Sequence, residues 1–173
     1  QVEQAEQESS EDETLTAIAK KKAGLRTEAD ILYLLDLVVG MPYFDKLTLH
    51  LKRELFRSNS IEHHSAGSII FRKDDRAHVC FVLLSGEVEV LAQTSKGGSQ
   101  IVATLHSGTP FGELGMLSSG VRAATLRAKL NSHVLVMSKQ DYKRIAGVSN
   151  LDQIVQKIQF IKTKLVGFAL TGG

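Results

Sequence analysis

The sequence predicts an α+β fold in which helices flank an antiparallel β jelly-roll barrel, and three observations carry that expectation. Apolar residues recur at helical spacing before residue 58 and again after residue 138. Between those positions lies a series of short segments rich in β-branched and aromatic residues, most separated by Gly, Asp, Ser or Lys-Gly-Gly. The 173 residues, 43% hydrophobic and 23% charged, suit one domain with a real core and short attachments.

Residues 1–13 hold Glu3, Glu6, Glu8, Glu11, Asp12 and Glu13 without a base or an aromatic, which predicts a disordered acidic tail or linker. An N-terminal helical segment is expected over 14–57. Thr27 with Asp30 reads as a cap, Ile31, Leu34, Leu35 and Val38 keep helical spacing, and Gly40 and Pro42 stop the run. A second helix is expected from about Lys46 to Arg57, with Leu47, Leu51 and Leu55 on one face. The barrel is expected over 58–137, from "SIEHH", "SIIFR", "HVCFVLL", "EVEVLAQ", "QIVATL", "AATLRAKL" and "HVLVMS". "EVEVL" alternates, setting Val88 and Val90 against Glu87 and Glu89, and "SKGGS" at 95–99 reads as a hairpin turn. Helices return over 138–173. Ser138 caps "KQDYKRIAG", and Asn150 caps a run whose Leu151, Ile154, Ile158, Ile161, Leu165 and Phe168 form one apolar stripe.

Charge and composition exclude several functions. Net charge is +2, and apart from Lys20-Lys21-Lys22 the bases are scattered, without the clustered basic and aromatic face that nucleic acid requires. A single cysteine, Cys80, rules out an internal disulfide and fits a reducing compartment. No apolar run reaches membrane-spanning length and no signal peptide opens the chain, so a cytoplasmic protein without membrane insertion is expected. The opening Gln1 fits a segment of something longer. His63 and His64 face opposite ways on a strand, and neither a cysteine nor a second histidine pair lies near them in sequence, so no metal is expected. The His-x-His set of a metal-dependent jelly-roll enzyme is missing too, and no catalysis or catalytic cofactor is expected.

Residues 110–130, "PFGELGMLSSGVRAATLRAKL", pose the functional question. Glu113 and Arg122 are the charges of an apolar, small-residue run. Buried charges need partners, so the two either pair with each other or both face something that is not protein. Residues 112–117 suit one helical turn, whose free N–H groups and dipole favour an anion. Gly112 lets backbone come close, Gly115 leaves room over the turn, and the Ser-Ser-Gly bend returns Arg122 across it. A guanidinium beside free amides matches phosphate oxygens in pairs. Glu113 repels phosphate, so it suits a neutral donor such as a sugar hydroxyl. The ligand class implied is a nucleotide.

The same run resembles the phosphate-binding cassette of the cyclic-nucleotide-binding domain family, F-G-E-[LIV]-[AG]-L, a spacer, then R-[AST]-A-[ST]. Phe111, Gly112, Glu113, Leu114, Gly115, Arg122, Ala123, Ala124 and Thr125 match. The wording is most similar to that of the regulatory subunits of cAMP-dependent protein kinase. "MPYFDKL" at 41–47, "AGSIIFRKDD", "CFVLLSGEVEVL" and "SHVLVMSKQDYKRI" resemble further family segments, so the likeness covers about residues 30–147. Two departures stand out: Val121 replaces the usual proline before the arginine, and Lys73-Asp74-Asp75 loses a turn glycine. Lys21-Lys22-Ala23-Gly24-Leu25 faintly resembles a kinase pseudosubstrate, with lysines for arginines.

The resemblance implies roles. Arg122 takes the phosphate with backbone amides of Leu114, Gly115 and Ala123, and Glu113 with Gly112 takes the ribose 2′-hydroxyl. Ala123 offers no hydroxyl to a guanine amino group, so cAMP is expected before cGMP. Phe160, Val166 and Phe168 are three candidates for a cap over the base. The partner implied is an effector domain or subunit, such as a kinase, an exchange factor or a channel. The competing expectation is a degenerate member that binds no nucleotide and serves as a protein-interaction module.

Overall fold

The computed structural model describes residues 2–94 and 97–146. The first helix, α1, runs Val2–Ala19. The expected disordered tail is thus replaced by helix from its second residue. Its Glu, Gln and Ala residues are good helix formers, and Leu15 and Ile18, 2% and 3% exposed, dock the helix into the core. A 3₁₀ turn, Ala23–Leu25, leads to α2, Glu28–Leu37. There the expected cap is a full capping box. Thr27 Oγ1 accepts from the Asp30 amide at 3.2 Å, and the Asp30 carboxylate accepts from the Thr27 amide at 2.7 Å. Pro42 opens the single turn α3, Pro42–Asp45. Helix α4, Leu49–Ser58, starts three residues later than expected, because Thr48 caps it by accepting from the Leu51 amide.

Strands β1 (Ile61–His64), β2 (Ile69–Phe71), β3 (Val79–Ser85), β4 (Glu87–Gln93) and β5 (Ser99–His106) follow. After them come β6 (Pro110–Phe111), the short helix α5 (Glu113–Leu117), β7 (Thr125–Ala128) and β8 (Ser132–Ser138). Helix α6, Lys139–Ala146, closes the described residues, and Ser138 caps it as expected by accepting from the Asp141 amide at 3.0 Å. The helix expected from Asn150, with Phe160, Val166 and Phe168, lies outside the described residues.

The strand pairings form two four-stranded antiparallel sheets rather than the closed barrel expected from sequence. One has the order β1-β8-β3-β6 and the other β2-β7-β4-β5. The sheets face each other across Phe71, Phe81, Leu83, Val88, Phe111, Leu126 and Val134. The first sheet turns its other face to the helices, where Cys80, Val82, Leu84, Leu135 and Met137 meet Leu15, Ile31, Leu34, Phe44 and Phe56. Strand β3 is therefore buried on both faces, which explains its unbroken apolar run. β6, at two residues, pairs only Phe81↔Phe111 and Val82↔Pro110, and its proline offers no N–H to extend a ladder. Glu89, on the face opposite Val88, is 8% exposed and pairs with Arg127 at 2.7 Å. No helix among the described residues is long and apolar enough to cross a membrane.

Candidate functional site

The cassette residues converge where β6 leaves the first sheet. Gly112 follows Phe111 with φ +78°, a conformation costly for any residue with a Cβ, and this reversal starts α5 with Glu113. After α5 the chain folds back on itself. The Gly120 amide donates to the Gly115 carbonyl at 2.7 Å and the Ala77 amide to the Gly120 carbonyl at 2.8 Å. Arg122 is then clamped by its backbone, its amide donating to Asp75 O at 2.8 Å and its carbonyl accepting from Asp74 at 2.9 Å. The expected lost glycine proves immaterial to this loop's shape. Asp74 itself takes φ +70°, which Asp tolerates, and the Asp75 carboxylate holds the turn by accepting from the Arg72 amide. Val121 sits in an isolated antiparallel bridge with Arg76, so the strand before the arginine is fixed by pairing in place of proline stiffness.

Arg122 and Glu113 are 4% and 2% exposed. Arg122 Nη1 donates to the Gly112 carbonyl at 2.7 Å, and its guanidinium lies 4.2 Å from the Phe71 ring centroid and 5.3 Å from that of Phe81. Cation–π attraction of about 0.5–2 kcal/mol offsets part of the cost of taking that charge from water. Burial pulls the guanidinium pKa down, while Cys80, Asp75 and Glu113 act in the opposite sense. Burial also pushes the Cys80 thiol up to about 12, so it is an inert core thiol.

Both charges border a hollow of about 540 Å³, counting the space at its open mouth. The sequence-derived set Gly112, Glu113, Leu114, Gly115, Arg122 and Ala123 lines it. Phe71, Val90, Leu105 and Leu126, which pattern reading did not assign to the site, line it as well. Alternation in "EVEVL" put Val90 on one face with Val88, but nothing local tied it to residue 122. Polar groups that can orient a ligand, set among apolar residues that can bury it, suit a small organic molecule. His63 and His64 do point apart, yet the fold brings Asp12 and His133, both distant in sequence, to His63.

The family model of the cyclic nucleotide-binding domain matches residues 61–147. Rap guanine nucleotide exchange factor 3 of Rattus norvegicus is 32% identical over 136 residues, covering 78% of this chain and 14% of that protein. The cAMP-dependent protein kinase regulatory subunit of Mycosarcoma maydis is 28% identical over 115 residues, covering 64% of this chain and 22% of that one. The chain thus spans only a small part of these relatives. A solved structure of PKAR CBD2 with Sp-2Cl-cAMPS bound is similar in fold, with a TM-score of 0.62 at 20% identity over 76% of this chain and 86% of that one.

Proposed function

We propose a sensor function from one premise: this chain belongs to the cyclic-nucleotide-binding domain family. On this reading the two facing sheets are the halves of a jelly roll, and the hollow receives a cyclic nucleotide, cAMP before cGMP. The observation that carries it is the burial of a guanidinium and a carboxylate together at the rim of an otherwise apolar hollow. Arg122 pairs with the exocyclic phosphate oxygens, joined by the amides of Leu114, Gly115 and Ala123. Glu113, with Gly112 positioning it, accepts from the ribose 2′-hydroxyl. Ala123 is exposed at the mouth and presents no hydroxyl to a guanine amino group, which favours adenine. The base lies against the apolar lining, and a cap comes from Phe160, Val166 or Phe168.

The domain performs no chemistry on its ligand; it transmits occupancy through the helices that pack on the first sheet. Such coupling amounts to about 1–3 kcal/mol of differential affinity between two states. The effector is a domain or subunit of the kind its relatives' names describe, a kinase or an exchange factor, and the setting is cytoplasmic.

Calorimetric titration with cAMP and cGMP tests this. The parent chain is expected to bind cAMP saturably and cGMP more weakly. Arg122→Ala and Glu113→Gln should each weaken cAMP, since a charge-assisted hydrogen bond is worth about 1.5–3 kcal/mol and 1.4 kcal/mol is about tenfold. A parent chain that takes up neither nucleotide would sink the sensor and leave a ligand-independent interaction module.

A further inference from the structure

We propose that Asp12, His63 and His133 form a site for a borderline divalent transition ion such as Zn²⁺ or Co²⁺, which would staple α1 to the helix-facing side of the first sheet. The three residues stand on α1, β1 and β8, and one ligand atom from each lies within 4.8 Å of the others. His63 and His133 are register partners on paired strands, with ring centroids 4.8 Å apart. His133 Nδ1 lies 3.6 Å from Asp12 Oδ1. Two donors each about 2.0–2.2 Å from a tetrahedral ion stand about 3.4 Å apart, so this pair closes on zinc with little movement.

The surroundings orient His133 as a ligand. It is fully buried, and its Nε2 lies 2.9 Å from Thr16 Oγ1 on α1. An Nε2–H donating to Thr16 leaves the Nδ1 lone pair on the side of Asp12, the outer-sphere arrangement that metal-binding imidazoles use. His63 is exposed and Asp12 half-buried, which gives an ion and its remaining waters a way in. Two imidazoles and one carboxylate select zinc, cobalt or nickel over magnesium and calcium. The competing arrangement is a hydrogen-bonded core histidine, since Ser85 Oγ lies 3.0 Å from Nδ1 and must yield to the ion.

The test is titration of the 173-residue chain with ZnCl₂ by calorimetry and with CoCl₂ by visible absorption, repeated on His63→Ala, Asp12→Asn and His64→Ala. Neither substituted ligand is fully buried, and circular dichroism checks that each variant keeps its helices. One saturable ion per chain is expected, weakened on the order of tenfold or more by His63→Ala and by Asp12→Asn and unchanged by His64→Ala. Cobalt d–d absorption should fade in the first two variants. Absence of saturable binding overturns the proposal, as does binding that survives both substitutions or falls equally with His64→Ala. None of these readouts depends on a nucleotide.

Discussion

A methyl group on Gly115 would lie 2.2 Å from the Val121 carbonyl oxygen and 3.0 Å from the Ala77 side chain. The first of these neighbours is backbone and cannot step aside, so α5 and the segment carrying Arg122 touch through a position that admits no side chain. Gly112 is constrained twice, by its φ of +78° and by Arg122 Nη1, which would lie 2.8 Å from an added Cβ. Gly115→Ala is expected to cost about 1–3 kcal/mol as overpacking, read as a lower urea midpoint with an unchanged slope. The same variant should weaken the proposed cyclic-nucleotide binding, because the displaced segment carries the arginine. The motif marks both glycines in the sequence, but room over the turn is the wrong reason for Gly115. The space is filled by the chain's own return, and contact between residues 115 and 121 has no local signature.

Helix α2 shows what local chemistry can specify. Asp30 closes the capping box and takes two hydrogen bonds of 2.8 Å from Lys21 Nζ, which also ties down the lysine of the faint pseudosubstrate run. Burial alone would raise the Asp30 pKa, but Lys21 and the Thr27 donors outweigh it and hold the carboxyl below its ordinary value of 3.8. The unfolded chain therefore binds the proton first on acidification. The carboxylate's contribution is full above that ordinary value and is lost as pH falls through the lower folded value. Asp30→Ala should destabilise the chain by about 1–2 kcal/mol at neutral pH, and denaturant titrations should show that deficit shrinking below about pH 4. Helix α1 illustrates the opposite case. Its acidic composition reads as a tail, yet Leu15 and Ile18 anchor it and good helix formers extend it. Two apolar residues are too few for a periodicity signal and sufficient for docking.

Across the whole molecule the first sheet is the shared wall of two cores, one between the sheets and one against the helices. Leu135, fully buried at the centre of that wall, links α1, α2 and α4 to the strands that carry the site. Leu135→Ala is expected to cost about 2–5 kcal/mol, and helical circular dichroism and the hydrogen-exchange protection of the strand amides should be lost in one coincident transition. Separate transitions would show that helices and sheets fold independently and would remove the route proposed for coupling.

The sequence by itself determined the helix caps at Thr27 and Ser138, the β-rich middle and the run from Phe111 to Thr125 as the candidate site. Each of these depends on spacing within a few residues, where backbone geometry and side-chain type act directly. Only the tertiary structure decided that Arg122 stacks over Phe71, that Val90 and Leu105 wall the hollow, and that Asp12 and His133 meet His63. Those contacts join segments far apart in the chain, and their energy exists only after two sheets and a helix have packed, so no local pattern records them.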